Sequence, residues 1–192
     1  MAFVALLDAS VLHPWVVCDL LLRLAERGLY RPAWSAEILD ELVGSLTRRQ
    51  PDHGERFRRR RERMEAAFAE AMTHQPGRFA SAVPDEVDAG DRHVVAAAFA
   101  ARADVIVTNN ARHFAPDRLA EAGLLVHTAD EFLVHQWWLD PAGVLEELAA
   151  MAASTSRPAL TAAHVLESLR GFAPEFVGLV ERASPFGPDP TA

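Results

Sequence analysis

Asp104-Val105-Ile106-Val107-Thr108-Asn109-Asn110 is the stretch whose reading decides the fold. Three β-branched residues in a row, bounded by turn-compatible ends, predict a short buried strand. Phe3-Val4-Ala5-Leu6-Leu7-Asp8 repeats the pattern near the start of the chain, an apolar run that ends on an acid. Helix signals alternate with these strands. Val16, Val17, Leu20, Leu21 and Leu24 recur at helical spacing, so a helix is expected from Val16 to Arg27 with Gly28 as its terminator. Tyr30 to Trp34 reads as a short second strand interrupted by Pro32. Ser35 offers an N-cap to a helix carrying Ile38, Leu39, Leu42 and Leu46.

Further along, Gln50 to Met72 reads mainly as a long polar helix with a thin apolar stripe of Phe57, Met64 and Phe68, broken by Pro76-Gly77. Phe79 to Val83 is expected as a short strand, followed by an acidic loop from Pro84 to Gly90. Asp91 opens a helix running through Val94 to Ala101, Pro116 to Ala122 forms another, and Leu124 to His127 a further strand. This alternation implies an α/β fold with a mainly parallel sheet. Ligand sites in such sheets form at the carboxyl ends of the strands, where both Asp8 and Asn110 fall.

Past residue 136 the strand signal stops. Gly143 to Met151, Thr161 to Leu169 and Pro174 to Arg182 read as three short amphipathic helices. The expected organisation is therefore a domain over residues 1–135, a helical C-terminal extension over 136–183, and a frayed tail over 184–192 that holds three prolines. Trp137 and Trp138 stand where the two parts join, and packing between them is favoured over base stacking.

Half of the 192 residues are apolar and 24% are charged, as in an ordinary globular protein. No apolar stretch approaches the roughly 18–20 residues of a membrane span. The N-terminus has no basic region, and Asp8 follows the apolar run at once, which argues against a signal peptide. The single cysteine, Cys18, excludes an internal disulfide and a cysteine-based zinc cage and fits a reducing cytoplasm. A net charge of −8 argues against a uniformly basic nucleic-acid coat protein. The charge is uneven, however. Residues 48–63 hold eight arginines against Asp52, Glu55 and Glu62, and the chain contains no lysine. Every fixed cation is thus a guanidinium, the group that grips phosphate bidentately, although a compositional bias would also remove lysine.

Carboxylates supply the candidate chemistry. Asp8 follows a buried strand, where an acid is costly unless paired or metal-bound; an N-cap for the next turn is the alternative. Glu37 and Glu41 lie four apart on one face of the helix that begins near Ser35. Asp88 and Asp91 flank a helix start, where the dipole alone favours acids. Two or three carboxylates plus an amide, delivered by strand ends and helix starts, make a hard oxygen site suited to Mg²⁺ or Mn²⁺. The eight histidines show no zinc-type spacing. His93 and His113, like Arg92 and Arg112, lie beside the acidic motifs, where an ordinary surface role is favoured and contact with phosphate is the alternative. A phosphoaspartyl enzyme would need a second aspartate two residues after Asp8, where Ser10 stands.

Four segments together resemble the landmarks of PIN domains. They are Leu6-Leu7-Asp8-Ala9-Ser10, Ser35-Ala36-Glu37-Ile38-Leu39-Asp40-Glu41-Leu42, Asp88-Ala89-Gly90-Asp91-Arg92-His93-Val94-Val95-Ala96-Ala97-Ala98 and Val107-Thr108-Asn109-Asn110-Ala111-Arg112-His113-Phe114. The likeness is closest to VapC-type toxins of the longer kind with a helical C-terminal extension. The resemblance implies a three-layer α/β/α fold with about five strands and a Mg²⁺- or Mn²⁺-dependent endoribonuclease. It places the three acids on Asp8, Glu41 and Asp91, with Glu37 competing for the second position, and the fourth site residue on Asn110. Ser10 and Thr108 fall where small hydroxyl residues adjoin the metal, and Asp88 is an auxiliary acid. Many family members have an aspartate at the place of Asn110. An amide adds no charge, so one firmly bound ion is expected rather than two. A nucleophilic Ser10 has no evident base. The resemblance also implies a toxin–antitoxin pair, a cognate antitoxin that blocks the acidic site, a toxin homodimer, and a structured RNA substrate such as tRNA or rRNA cut in single-stranded regions. Some PIN domains have lost acids and only bind RNA or protein, which is the alternative here.

Arg58, Arg59, Arg60 and Arg61 are candidate contacts for the RNA backbone, since phosphate neutralisation supplies most sequence-independent affinity. A solvated helix face is the other reading of the same run.

Overall fold

The computed structural model describes residues 3–154 and 160–183; the expected tail over 184–192 lies outside them. In chain order the elements are β1 (Val4–Leu7), α1 (Ala9–Leu12), α2 (Trp15–Glu26), β2 (Arg31–Ala33), α3 (Ala36–Arg49), α4 (Gly54–Ala67), α5 (Arg92–Ala101), β3 (Val105–Val107), α6 (Pro116–Glu121), β4 (Leu125–His127), α7 (Ala129–Leu139), α8 (Pro141–Ala153), α9 (Ala162–Arg170) and α10 (Pro174–Ala183). Short 3₁₀ turns join several of them.

The four strands form one parallel sheet in the order β2-β1-β3-β4. The fold is therefore the expected parallel α/β type, with four strands among the described residues rather than about five. An isolated parallel bridge between Trp34 and Met72 extends the pairing beyond β2. Pro32 is tolerated because β2 pairs in the sheet on one side only. In the central pair, Leu6 sits opposite Ile106 and Leu7 opposite Val107, and Ala5, Leu6, Leu7, Val105, Ile106 and Val107 are fully buried. That explains why both strands read as unbroken apolar runs.

Several local expectations gave way to tertiary context. Phe79–Val83 was expected as a strand, but Pro76–Ala82 is a 3₁₀ segment with no buried residue. Its alternating Phe-Ala-Ser-Ala pattern has no neighbouring strand to pair with. The long polar helix is shorter than predicted, ending at Ala67 before a 3₁₀ turn at Ala69–Ala71.

The chain divides into two compact units. One holds the residues up to His13 together with Tyr30–Thr128, and the other holds Pro14–Leu29 together with the helices from Ala129 onward. The sequence boundary at 135/136 falls inside α7, whose residues Phe132, Leu133, Gln136 and Trp137 are buried. Ala129, Phe132, Leu133, Gln136 and Trp137 form its buried stripe, but apolar Val134, Trp138 and Leu139 lie off it and Gln136 within it is polar, which hides the helical period in the sequence. Trp137 is buried as expected, whereas Trp138 is 66% exposed. The helical unit is tied by caps. Asp130 of α7 accepts from the backbone N–H groups of Glu175 and Phe176 at the start of α10 (3.0 and 2.8 Å). Asp140 caps α8 through the N–H of Gly143 and pairs with Arg27.

Candidate metal centre

The sheet brings Asp8 and Thr108 side by side, because the register that pairs Leu7 with Val107 carries the next residue of each strand onto the same rim. Asp8 is 4% exposed and Thr108 fully buried. Asp8 Oδ2 accepts hydrogen bonds from Ser10 Oγ (2.6 Å) and Thr108 Oγ1 (2.7 Å). Ser10 Oγ in turn accepts from the Asn109 backbone N–H, and the Asn109 side-chain amide donates to the Ser10 carbonyl (both 2.9 Å). The Asn110 N–H donates to Thr108 Oγ1 at 3.1 Å. These bonds lock one carboxylate oxygen and leave Oδ1 with no protein donor among the described residues. Asp8 occupies the N-cap position of α1, yet its side chain makes no capping bond.

Asp91 is likewise the N-cap residue of α5 without a side-chain cap bond. The capping alternative thus fails to account for either acid. Asp91 is raised above the ordinary aspartate range, first by burial and then by the negative charge of Asp8. Glu41, in the second turn of α3, is raised by burial, by Asp8 and by Asp91. Three carboxylates delivered by a strand end, a helix start and a helix face therefore feel one another's charge. Glu37 is exposed in the first turn of α3.

A histidine joins the acids. His113 Nδ1 lies 3.3 Å from Asp91 Oδ2 and 3.4 Å from Asp88 Oδ2, and ligand atoms of Asp88, Asp91 and His113 fall within 4.8 Å of one another. The Asp88 N–H donates to the His113 carbonyl at 3.0 Å, which clamps the two loops together. The sequence reading had left His113 on the surface. Its only sequence signal was adjacency to the Thr108-Asn109-Asn110 motif. His93 Nε2 stands 3.6 Å from Glu41. Asn110 is exposed and engages through its backbone, whereas Asn109 commits its amide to Ser10.

The arginine run separates into different roles. Arg60 departs from the expected RNA contact, being 7% exposed and donating to the Leu12 carbonyl at 2.5 Å. Arg61 pairs with Asp40 and Glu65. Arg58 and Arg59 share Glu55 and remain largely exposed.

The donor set fits a hard divalent cation. Ligand atoms of Asp88, Asp91 and His113 gather within 4.8 Å of one another, and Asp8, with its unbonded oxygen, raises Asp91 and Glu41 by its charge, so a cation among these carboxylates would offset their repulsion.

The structure is a parallel α/β sheet with acids at its carboxyl rim. Residues 4–112 match the family model described as PIN domain, and residues 129–182 match the model described as VapC50 C-terminal domain. The first match covers more than half of the chain, which therefore belongs to the PIN-domain family, of the VapC type with a C-terminal helical domain. A similar protein is that of Mycobacterium tuberculosis named "Putative ribonuclease VapC50", 34% identical over 97 residues. That match takes in 50% of this chain and 57% of the relative's length. No solved structure matches the chain. Among the described residues no helix is long and apolar enough to cross a membrane.

Proposed function

We propose that this protein is a divalent-metal-dependent endoribonuclease of the cytoplasm that acts as the toxin of a toxin–antitoxin pair. The observation that carries the reading is the Asp8 carboxylate. It is buried at the sheet rim, held on one oxygen by Ser10 and Thr108, and charge-coupled to Glu41 and Asp91. Mg²⁺ or Mn²⁺ bound there would polarise the scissile phosphate and lower the pKa of an attacking water. Asp8, Asp91 and Glu41 bind the ion, with Asn110 contributing through its amide or a water and Asp88 auxiliary. Ser10 and Thr108 hold the Asp8 carboxylate in one rotamer, so that its free oxygen keeps its direction. His113, facing Asp88 and Asp91, orients both loops. Because the acids repel one another when ionised, a cation is required to assemble the site, and an antitoxin arginine placed among them would substitute for it and silence the enzyme. The RNA substrate is a structured one, tRNA or rRNA, cut in a single-stranded region, and the toxin works as a homodimer. The match to a protein named as a ribonuclease supports this reading.

The deciding experiment compares the protein with Asp8→Asn and Asp91→Asn. The unsubstituted protein is expected to slow bacterial growth when induced and to cleave RNA with Mg²⁺ or Mn²⁺ but not with EDTA. Undiminished cleavage by both variants would refute the mechanism. RNA bound but never cut would assign a binding module instead.

A further inference from the structure

Arg60 turns the arginine run of α4 from a charge cluster into an oriented device. Its guanidinium is buried against the Leu12 carbonyl at the end of α1, the four-residue helix that starts immediately after Asp8. At 100° per residue, Arg56 and Arg63 lie within about 40–60° of Arg60 around the α4 axis, and Arg59 about 100° away on the same side. Both Arg56 and Arg63 are exposed and carry no ion pair among the described residues. Arg63 Nε donates to the Arg59 carbonyl. With Glu55 and Glu62 at the far border, these three arginines line an open groove of about 590 Å³. We propose that Arg56, Arg59 and Arg63 form a phosphate-binding rail for a single RNA strand on the exposed face of α4, a helix anchored by the buried Arg60.

Spacing and charge support a nucleic-acid strand. Arg56 to Arg63 spans about 10 Å along the helix, a length over which a single strand presents successive phosphates. Each guanidinium offers a bidentate fork to one of them. Arg59 is held meanwhile by Glu55 in an ion pair more than 60% exposed on both sides, an exchangeable arrangement in which phosphate can replace carboxylate. α4 belongs to the same compact unit as β1 and α1. The choice of RNA as the polyanion rests on the nuclease reading.

The test measures binding of a single-stranded RNA oligonucleotide in EDTA across a salt series, with the full chain. Arg56→Gln/Arg59→Gln/Arg63→Gln should weaken binding at least tenfold at low salt. It should also reduce the slope of log affinity against log salt by about 2, three contacts at about 0.7 each. The corresponding triple lysine variant should keep the slope, and Arg78→Gln, at an exposed arginine outside α4, should keep both slope and affinity. An unchanged slope in the triple glutamine variant, with an unchanged melting curve, overturns the rail and leaves the groove to a protein partner. Equal loss in Arg78→Gln also overturns it, because binding would then follow overall charge. Asp8→Asn separates the two ideas. If cleavage stops in Asp8→Asn while the triple variant binds normally, the rail fails and the nuclease stands. A rail-dependent slope with RNA that is never cut keeps the rail and rejects the nuclease.

Discussion

Thr108 donates its hydroxyl to Asp8 Oδ2 at 2.7 Å across 100 residues of sequence. This bond joins the carboxyl ends of the two central strands, and with Ser10 it defines which oxygen of Asp8 remains free.

Thr108→Val keeps the shape of the side chain and removes that donor. Since Ser10 still bonds Oδ2, the expected loss is about 1–2 kcal/mol of stability, the usual cost of a buried hydrogen bond to a charged group. Metal affinity should fall as well, because Asp8 gains rotational freedom. Thermal melts with and without Mn²⁺ measure both, and an unchanged metal-induced shift in melting temperature would contradict the positioning role.

The acidic trio makes the metal-free protein sensitive to pH in a direction that the shifts determine. Asp91 and Glu41 are raised from ordinary values of 3.8 and 4.5. The folded state thus holds their protons more tightly than the unfolded chain does. The stabilisation is complete below the ordinary values and is lost as pH rises through the raised ones. Melting temperature in EDTA should therefore decline across that window. Saturating Mg²⁺ should flatten the decline, and Glu41→Gln should reduce it. A metal-free melting temperature that rises through the same window would show that the acids do not repel one another.

Arg60→Ala is expected to cost about 2–3 kcal/mol, because a buried guanidinium is bonded to a carbonyl and its stem packs against neighbours. Arg58→Ala, at an exposed ion pair, should cost under about 1 kcal/mol. Urea unfolding of the two variants decides it; equal losses would remove the distinction between them.

In the helical unit, Asp130→Ala should lower stability by about 1–2 kcal/mol. Asp130 caps two backbone N–H groups of a helix more than forty residues away in sequence. Hydrogen exchange should accelerate at Glu175 and Phe176 first. Uniform exchange across the unit would point to a different cause.

Much of the PIN domain was legible because its two central strands, β1 and β3, are almost wholly buried and so are apolar throughout, and because Ser35 and Gly28 punctuate helices by local chemistry. Ser35 Oγ accepts from the Ile38 N–H, and Gly28 takes a positive φ just past the end of α2. Phe79–Val83 misled because an alternating pattern forms a strand only where a partner edge exists. The helix over Ala129–Leu139 escaped because apolar Val134, Trp138 and Leu139 lie off its buried stripe and polar Gln136 lies within it, so its period does not show.

By itself the sequence determined the parallel α/β class, the strand ends that carry Asp8 and Thr108, and the family resemblance. Periodicity, β-branching and caps are properties of neighbouring residues. Only the tertiary structure decided the rest. It brought His113 to Asp88 and Asp91, raised Glu41 through burial and the charge of Asp8, and buried Arg60 while leaving Arg56 and Arg63 exposed. Those outcomes depend on strand register, on helix rotation and on which loop packs on which. Such contacts form between residues far apart in the chain, and no local pattern encodes them.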